Sequence, residues 1–95
     1  MNNDPPPPPA PIPINGVLDL HTFRPAEIGG LVNEYLDECR RAGVLEVRLI
    51  HGKGIGNLQR TVHSILVKRR DVIRFSFAGA NYGGLGATVV HLRRK

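Results

Sequence analysis

Asp19 and His21 stand at the end of the segment Leu18-Asp19-Leu20-His21. If this segment is a strand, the two share one face about 7 Å apart. At that distance a carboxylate and an imidazole can address one scissile phosphate or its nucleophile, and imidazole titrates near neutral pH. The same spacing also suits a pair that only hydrogen-bonds neighbouring loops, because Asp-x-His recurs often by chance. A second candidate is His51-Gly52-Lys53-Gly54-Ile55-Gly56. Its alternating glycines let backbone amides approach an anion, a helix starting near Asn57 adds partial positive charge, and Lys53 adds a full one. The spacing is not that of a nucleotide P-loop, and a tight glycine turn with an exposed lysine is the plain alternative. A third is Gly83-Gly84-Leu85-Gly86-Ala87-Thr88, where Thr88 has a hydroxyl to offer a phosphate oxygen, although an ordinary turn explains these residues nearly as well. His63 and His91 are isolated and read as satisfied surface or core groups.

The elements that must position these residues follow from periodicity. Val17 to His21 alternates apolar and polar residues, as a half-buried strand does. Pro25 suits the first position of a helix and Glu27 its first turn. Ile28, Leu31, Val32, Tyr35, Leu36 and Cys39 then form one apolar stripe, which Arg40, Arg41 and Gly43 close. Leu45 to Ile50 reads as a second strand. Asn57 can cap a second helix with Leu58, Val62, Ile65 and Leu66 inward and Arg60, His63 and Lys68 wet. Val72 to Ala78 reads as a third strand with Ile73, Phe75 and Phe77 inward, Gly79 to Gly86 turns the chain, and Ala87 to Leu92 returns as a fourth. Two strand-helix-strand units imply parallel neighbours. The expected fold is a two-layer α+β (α/β) sandwich, β-α-β-α-β-β, with a four-stranded mixed sheet and both helices on one face. The open face would then display Asp19, His21, Arg48, Arg74 and His91. That is a plausible floor for a nucleic-acid strand, with Arg48 and Arg74 binding phosphates, though solvated side chains alone would look the same.

Charge is unevenly distributed. The formal net charge is +5, with −3 on residues 1–45 and +8 on residues 46–95. A field of that sign attracts phosphodiesters, and it also simply solubilises. Residues 1–15 carry prolines at 5–9, 11 and 13 and are expected to be a disordered polyproline arm ahead of a domain at 16–95, either a spacer or a ligand for a protein partner. The one cysteine, Cys39, excludes a disulfide framework or a cysteine-rich zinc site. With no apolar run of membrane length and no secretory pattern, a cytoplasmic monomer without a membrane partner is expected.

The three motifs, in this order and spacing, resemble those of the Smr (small MutS-related) domain family, whose pattern runs LDLHG, HGxG and GGxGxT over about residues 17–93. The resemblance implies a two-layer fold like the C-terminal domain of bacterial translation initiation factor three and endonuclease activity, often nicking, on DNA or RNA. It carries Asp19 and His21 over as the catalytic pair and His51, Gly52 and Gly54 as the second motif, with Lys53 in its variable place. Thr22 stands where the family has glycine, which puts the first loop in question. The expected mechanism has His21 as base or acid and Asp19 orienting it or helping to hold an optional Mg2+ or Mn2+. Lys53, the amides of Gly52 and Gly54, and His51 would stabilise charge on the phosphate. Too few ligands converge for a tightly held metal. The rival readings are a nucleic-acid-binding module that breaks no bond and a protein adaptor using the proline arm.

Overall fold

The computed structural model describes residues 12–54 and 56–94, so the proline run at 5–9, Pro11 and the arm's expected conformation lie outside the described residues. Four strands and two helices follow in the order β1 (Val17–Asp19), α1 (Pro25–Arg41), β2 (Glu46–Ile50), α2 (Asn57–Val67), β3 (Val72–Phe77) and β4 (Ala87–Leu92). Two short 3-10 turns, Ala80–Tyr82 and Gly84–Gly86, join the last two strands. The strands form one mixed sheet ordered β1-β2-β4-β3.

Only the first strand-helix-strand unit makes parallel neighbours. β1 pairs with β2 in parallel, whereas β4 inserts between β2 and β3 and runs antiparallel to both. The composition of the two late strands explains the order. Ala87, Thr88, Val90 and Leu92 are all buried, as a central strand requires. β3 carries Arg74 and Ser76 on one face and a register shift between Val72 and Arg74, features of a managed edge. That edge position corrects the expectation for its apolar residues. Phe75 packs against the core only partly, Phe77 is 42% exposed, and Ile73, at the register shift, is 55% exposed.

Both helices cover one face. The α1 stripe of Ile28, Val32, Tyr35, Leu36 and Cys39 and the α2 residues Val62 and Leu66 join Leu18, Leu20, Val47, Leu49, Val90 and Leu92 in one apolar cluster. Pro25 opens α1, and the Arg24 amide donates to Glu27 Oε1 at 3.1 Å. A left-handed Gly43 closes it, with the Gly43 amide on the Arg40 carbonyl and the Val44 amide on that of Cys39, a Schellman ending. Asn57 does not cap α2: it is the first helical residue, and left-handed Gly56 is the cap. Cys39 is fully buried and burial pushes its thiol pKa up, which leaves it unreactive.

The chain joins the domain earlier than its proline content suggests. Ile12 packs on the core, and the Tyr35 hydroxyl accepts from the Gly16 amide at 3.1 Å while lying 3.3 and 3.2 Å from the Pro13 and Val17 carbonyls. At the opposite edge of the sheet, near the start of β3, Arg69 ties three elements together. Its guanidinium reaches Asp71 and Asp37, each at 2.7 Å, and Asn33 Oδ1 at 2.9 Å. Among the described residues, no helix is long and apolar enough to cross a membrane.

The hydrogen bonds from Arg69 hold the Asp71 carboxyl below its ordinary pKa of 3.8. A carboxyl depressed in the fold stabilises it above its unfolded pKa, and that contribution is lost as pH falls through the folded value. The chain should therefore lose stability on acidification below about pH 4. Asp71→Asn should be less stable at pH 7 and show a shallower acid slope; urea unfolding at pH 7 and pH 3 measures both.

Candidate functional site

The C-terminal ends of β1 and β2 and the start of β4 meet at one end of the sheet. β1 stops at Asp19 rather than running through His21. The Asp19 carboxylate caps the turn that follows: Oδ1 accepts the His21 amide at 3.0 Å and the His21 ring Nδ1 at 2.7 Å. The pair is therefore in direct contact, not spaced along a strand. An ionised carboxylate only accepts, so Nδ1 carries the hydrogen and Nε2 holds the lone pair. The bond from the His21 amide lowers the Asp19 pKa most; burial opposes it, and the ring bond and the charge of His21 lower it further. The His21 side chain is 57% exposed, and its Nε2 is the ring atom nearest Gly52.

The glycine loop lies directly beneath it. A Cβ built on Gly52 would stand 2.7 Å from His21 Nε2, and Gly52 has a φ of +80°. Both the imidazole's position and the backbone turn thus require glycine there. The Gly86 carbonyl holds the loop down, accepting from the amides of His51 at 3.0 Å and Gly52 at 2.8 Å. A Cβ on Gly86 would meet the stem of Lys53 at 3.5 Å and the Gly52 backbone at 3.6 Å. Lys53 is exposed beside this contact. A cavity of about 220 Å³ between Gly52, Lys53, Gly54 and the first turn of α2 opens on a helix terminus that no side chain caps. This arrangement favours a bound anion. Thr22, in the place of the family's glycine, does not take a left-handed backbone: no non-glycine residue with positive φ occurs among the described residues.

Asp19, His21, Gly52 and Lys53 therefore meet at one rim, with Gly54 lining the cavity beside it. Other sequence candidates lie elsewhere. His51, read as catalytic, is 4% exposed and faces the helices. Its Nδ1 donates to the Gly52 carbonyl at 2.9 Å, and its Nε2 lies 2.9 Å from Thr88 Oγ1. Thr88, read as a phosphate donor, is fully buried and its hydroxyl is also 2.8 Å from His63 Nε2. The amide of Gly52, read as a phosphate donor, is already spent on Gly86. Arg74 lies on β3, two strands from β2, paired with His91. Arg48 lies on the helix-free face and donates to the Tyr82 carbonyl at 3.2 Å.

Sequence reasoning missed the partners of His51. The Gly52 carbonyl can only accept, so neutral His51 donates from Nδ1 and accepts at Nε2 from the Thr88 hydroxyl. The single hydroxyl hydrogen is then used, so His63 Nε2 must donate to Thr88. His63 Nδ1 in turn accepts from Gln59 Nε2 at 2.8 Å. The four side chains form one directed chain, and burial, with a smaller effect of the neighbouring His51, pushes the His63 pKa down, which suits a neutral link. The i,i+4 spacing of Gln59 and His63 on a helix was the available signal.

With this geometry in place, the comparisons define the class. The family model described as the Smr domain matches residues 18–93. The chain belongs to the Smr domain family. It is 45% identical over 76 residues to the protein named Endonuclease MutS2 of Halalkalibacterium halodurans, an overlap of 80% of this chain and 10% of that protein. It thus spans about a tenth of the length of the curated relatives it matches. The crystal structure of the Smr domain of Thermus thermophilus MutS2 superposes with a TM-score of 0.76 at 38% identity, covering 81% of this chain and 96% of that one. YdaL, a stand-alone small MutS-related protein from Escherichia coli, superposes at 0.78 with 30% identity, covering 86% and 67%. These structures share the mixed four-stranded sheet with two helices.

Two substitutions test the rim from opposite sides. Gly52→Ala should cost about 1–2 kcal/mol for its left-handed backbone and displace the His21 ring, seen as shifted His21 imidazole resonances. Thr88→Val removes the hydroxyl between buried His51 and half-buried His63 and should cost about 1–3 kcal/mol in urea unfolding, while leaving the Asp19–His21 contact unchanged.

Proposed function

We propose that this chain binds the phosphodiester backbone of DNA or RNA at the rim and cleaves it, nicking duplex substrates. One observation carries the reading: His21 is a half-exposed imidazole with its lone pair on Nε2, its tautomer set by Asp19 and its position by Gly52. Such a nitrogen can take a proton from water or, in RNA, from the 2′-hydroxyl, as that oxygen attacks phosphorus. The proton becomes the second hydrogen of an imidazolium, which the adjacent carboxylate stabilises, and it is available to the departing oxygen. Lys53 and the uncapped start of α2 stabilise the negative charge that grows on the phosphoryl oxygens. The name of the relatives, Endonuclease MutS2, supports the same reaction class.

His51 and Thr88 have no direct part in this reading; they hold Gly52 where His21 needs it. Among the described residues no three histidine, cysteine or acidic side chains converge. A substrate-borne Mg2+ or Mn2+ would find Asp19 as its acidic ligand, as such ions use one or two carboxylates plus substrate phosphates; no step here depends on it. A second reading draws on the burial of His51, which leaves the rim one imidazole to serve as both acceptor and donor. A backbone-binding module that breaks no bond would have the same rim.

Cleavage of labelled supercoiled plasmid and structured RNA separates the two. His21→Ala should lower the cleavage rate by about 10²–10⁴-fold with little change in affinity, and Asp19→Asn should lower it as well. Lys53→Ala should weaken salt-sensitive binding. Full activity in both His21→Ala and Asp19→Asn would reject the catalytic pair. Tight, salt-sensitive binding without cleavage by the unaltered chain would establish the binding module.

A further inference from the structure

We infer that the cavity on the helix-free face of the sheet, between the Tyr82 ring and Arg48, is a subsite for one unpaired nucleobase adjoining the phosphate at His21. This rests on the nucleic-acid reading above and adds a selection step to it.

The cavity measures about 530 Å³, larger than the anion cradle, and is lined by Val17, Glu46, Arg48, Tyr82 and Val89 among others. Val17, Arg48 and Val89 are register partners across three strands. On this face, which neither helix covers, Arg48 of the middle strand stands between the two valines. Tyr82 stands at the cavity's wall, 63% exposed although large and aromatic. Nothing in the core accounts for it, since it lies outside the apolar cluster. Arg48 secures the turn that carries it by donating to the Tyr82 carbonyl at 3.2 Å. Arg48 is thus a positioning residue, with the rest of its guanidinium fork turned to the same space.

The chemistry of the lining selects a base over other occupants. An exposed phenol ring and a guanidinium flanked by two valines suit a flat π-system. A guanidinium and the Glu46 carboxylate supply donors and an acceptor for its edge. A paired base inside a duplex has both faces covered, so only a single-stranded or bulged base can enter. The distance also fits. β1 pairs Val17 with Arg48 and Asp19 with Ile50, so the near wall of the cavity, at Val17, lies two strand residues, about 7 Å, from Asp19, and the cavity runs on from there past Gly16 and Glu46. That is the reach of a neighbouring nucleotide along the backbone.

The test is a DNA duplex carrying a single bulged 2-aminopurine, and its twin with an abasic bulge, titrated with the full chain. Stacking on Tyr82 should quench the fluorescent base, and the abasic twin should bind about 5- to 100-fold more weakly. Tyr82→Ala should abolish both the quench and the preference, whereas Tyr82→Phe, which keeps the ring, should retain both. Equal affinity for the two duplexes, or an unaltered quench in Tyr82→Ala, overturns the subsite and leaves the cleavage reading standing. Intact stacking in a chain that never cleaves supports the subsite and overturns only cleavage. Absence of binding to either duplex overturns the subsite together with the nucleic-acid reading.

Discussion

One carbonyl oxygen, that of Gly86, holds the functional end of this molecule together. It accepts the amides of both His51 and Gly52, and so binds the loop after β2 to the residue that precedes β4. With the loop held there, Gly52 takes its left-handed turn and presents a bare Cα to His21. Any side chain at Gly52 would occupy the place of the imidazole, whereas a Cβ at Gly86 would make only ordinary contact with the Lys53 stem and the Gly52 backbone. Glycine at position 52 is a steric demand of the site, distinct from loop flexibility.

The sheet divides the work between its faces. On the helix side, Gln59, His63, Thr88 and His51 form a hydrogen-bonded chain in which each donor meets one acceptor and which ends on the Gly52 carbonyl. No buried side-chain nitrogen or oxygen among the described residues lacks a partner. A satisfied polar network of this kind fixes geometry where an apolar core alone would leave slack. On the solvent side, the same loop supports an exposed base and an exposed lysine. Two histidines that share a short stretch of motif chemistry thus have opposite duties: His51 fixes the loop, and His21 meets what binds.

Much of this was legible in the sequence. The α1 stripe, the Pro25 start and the Gly43 end follow from a 3.6-residue period and local capping chemistry, and all three occur. The motifs identified the family and with it the mixed sheet and helix layer. What periodicity could not supply was strand order. Nothing local tells Val72–Phe77 that Ala87–Leu92 will take the central place, so Ile73 and Phe77 look like core residues until the edge is known. The misread site residues share a cause. His51 and Thr88 are polar, and a polar residue in a glycine-rich motif reads as a ligand unless its buried partners, here 12 and 37 residues away from His51 in sequence, are in view. The Asp19–His21 contact was misjudged in distance for a local reason: the Asp19 side chain ends the strand by capping the turn itself.

The proposed chemistry turns on where the protons sit on three imidazoles. Long-range proton–nitrogen correlation of the 15N-labelled chain, at a pH where the rings are neutral, reads this directly. His21 and His51 should each carry hydrogen on Nδ1, leaving Nε2 of His21 unprotonated, while His63 should carry hydrogen on Nε2. A His21 ring protonated on Nε2 instead would mean that Asp19 does not set its tautomer, and the exposed base on which the proposed chemistry relies would not exist.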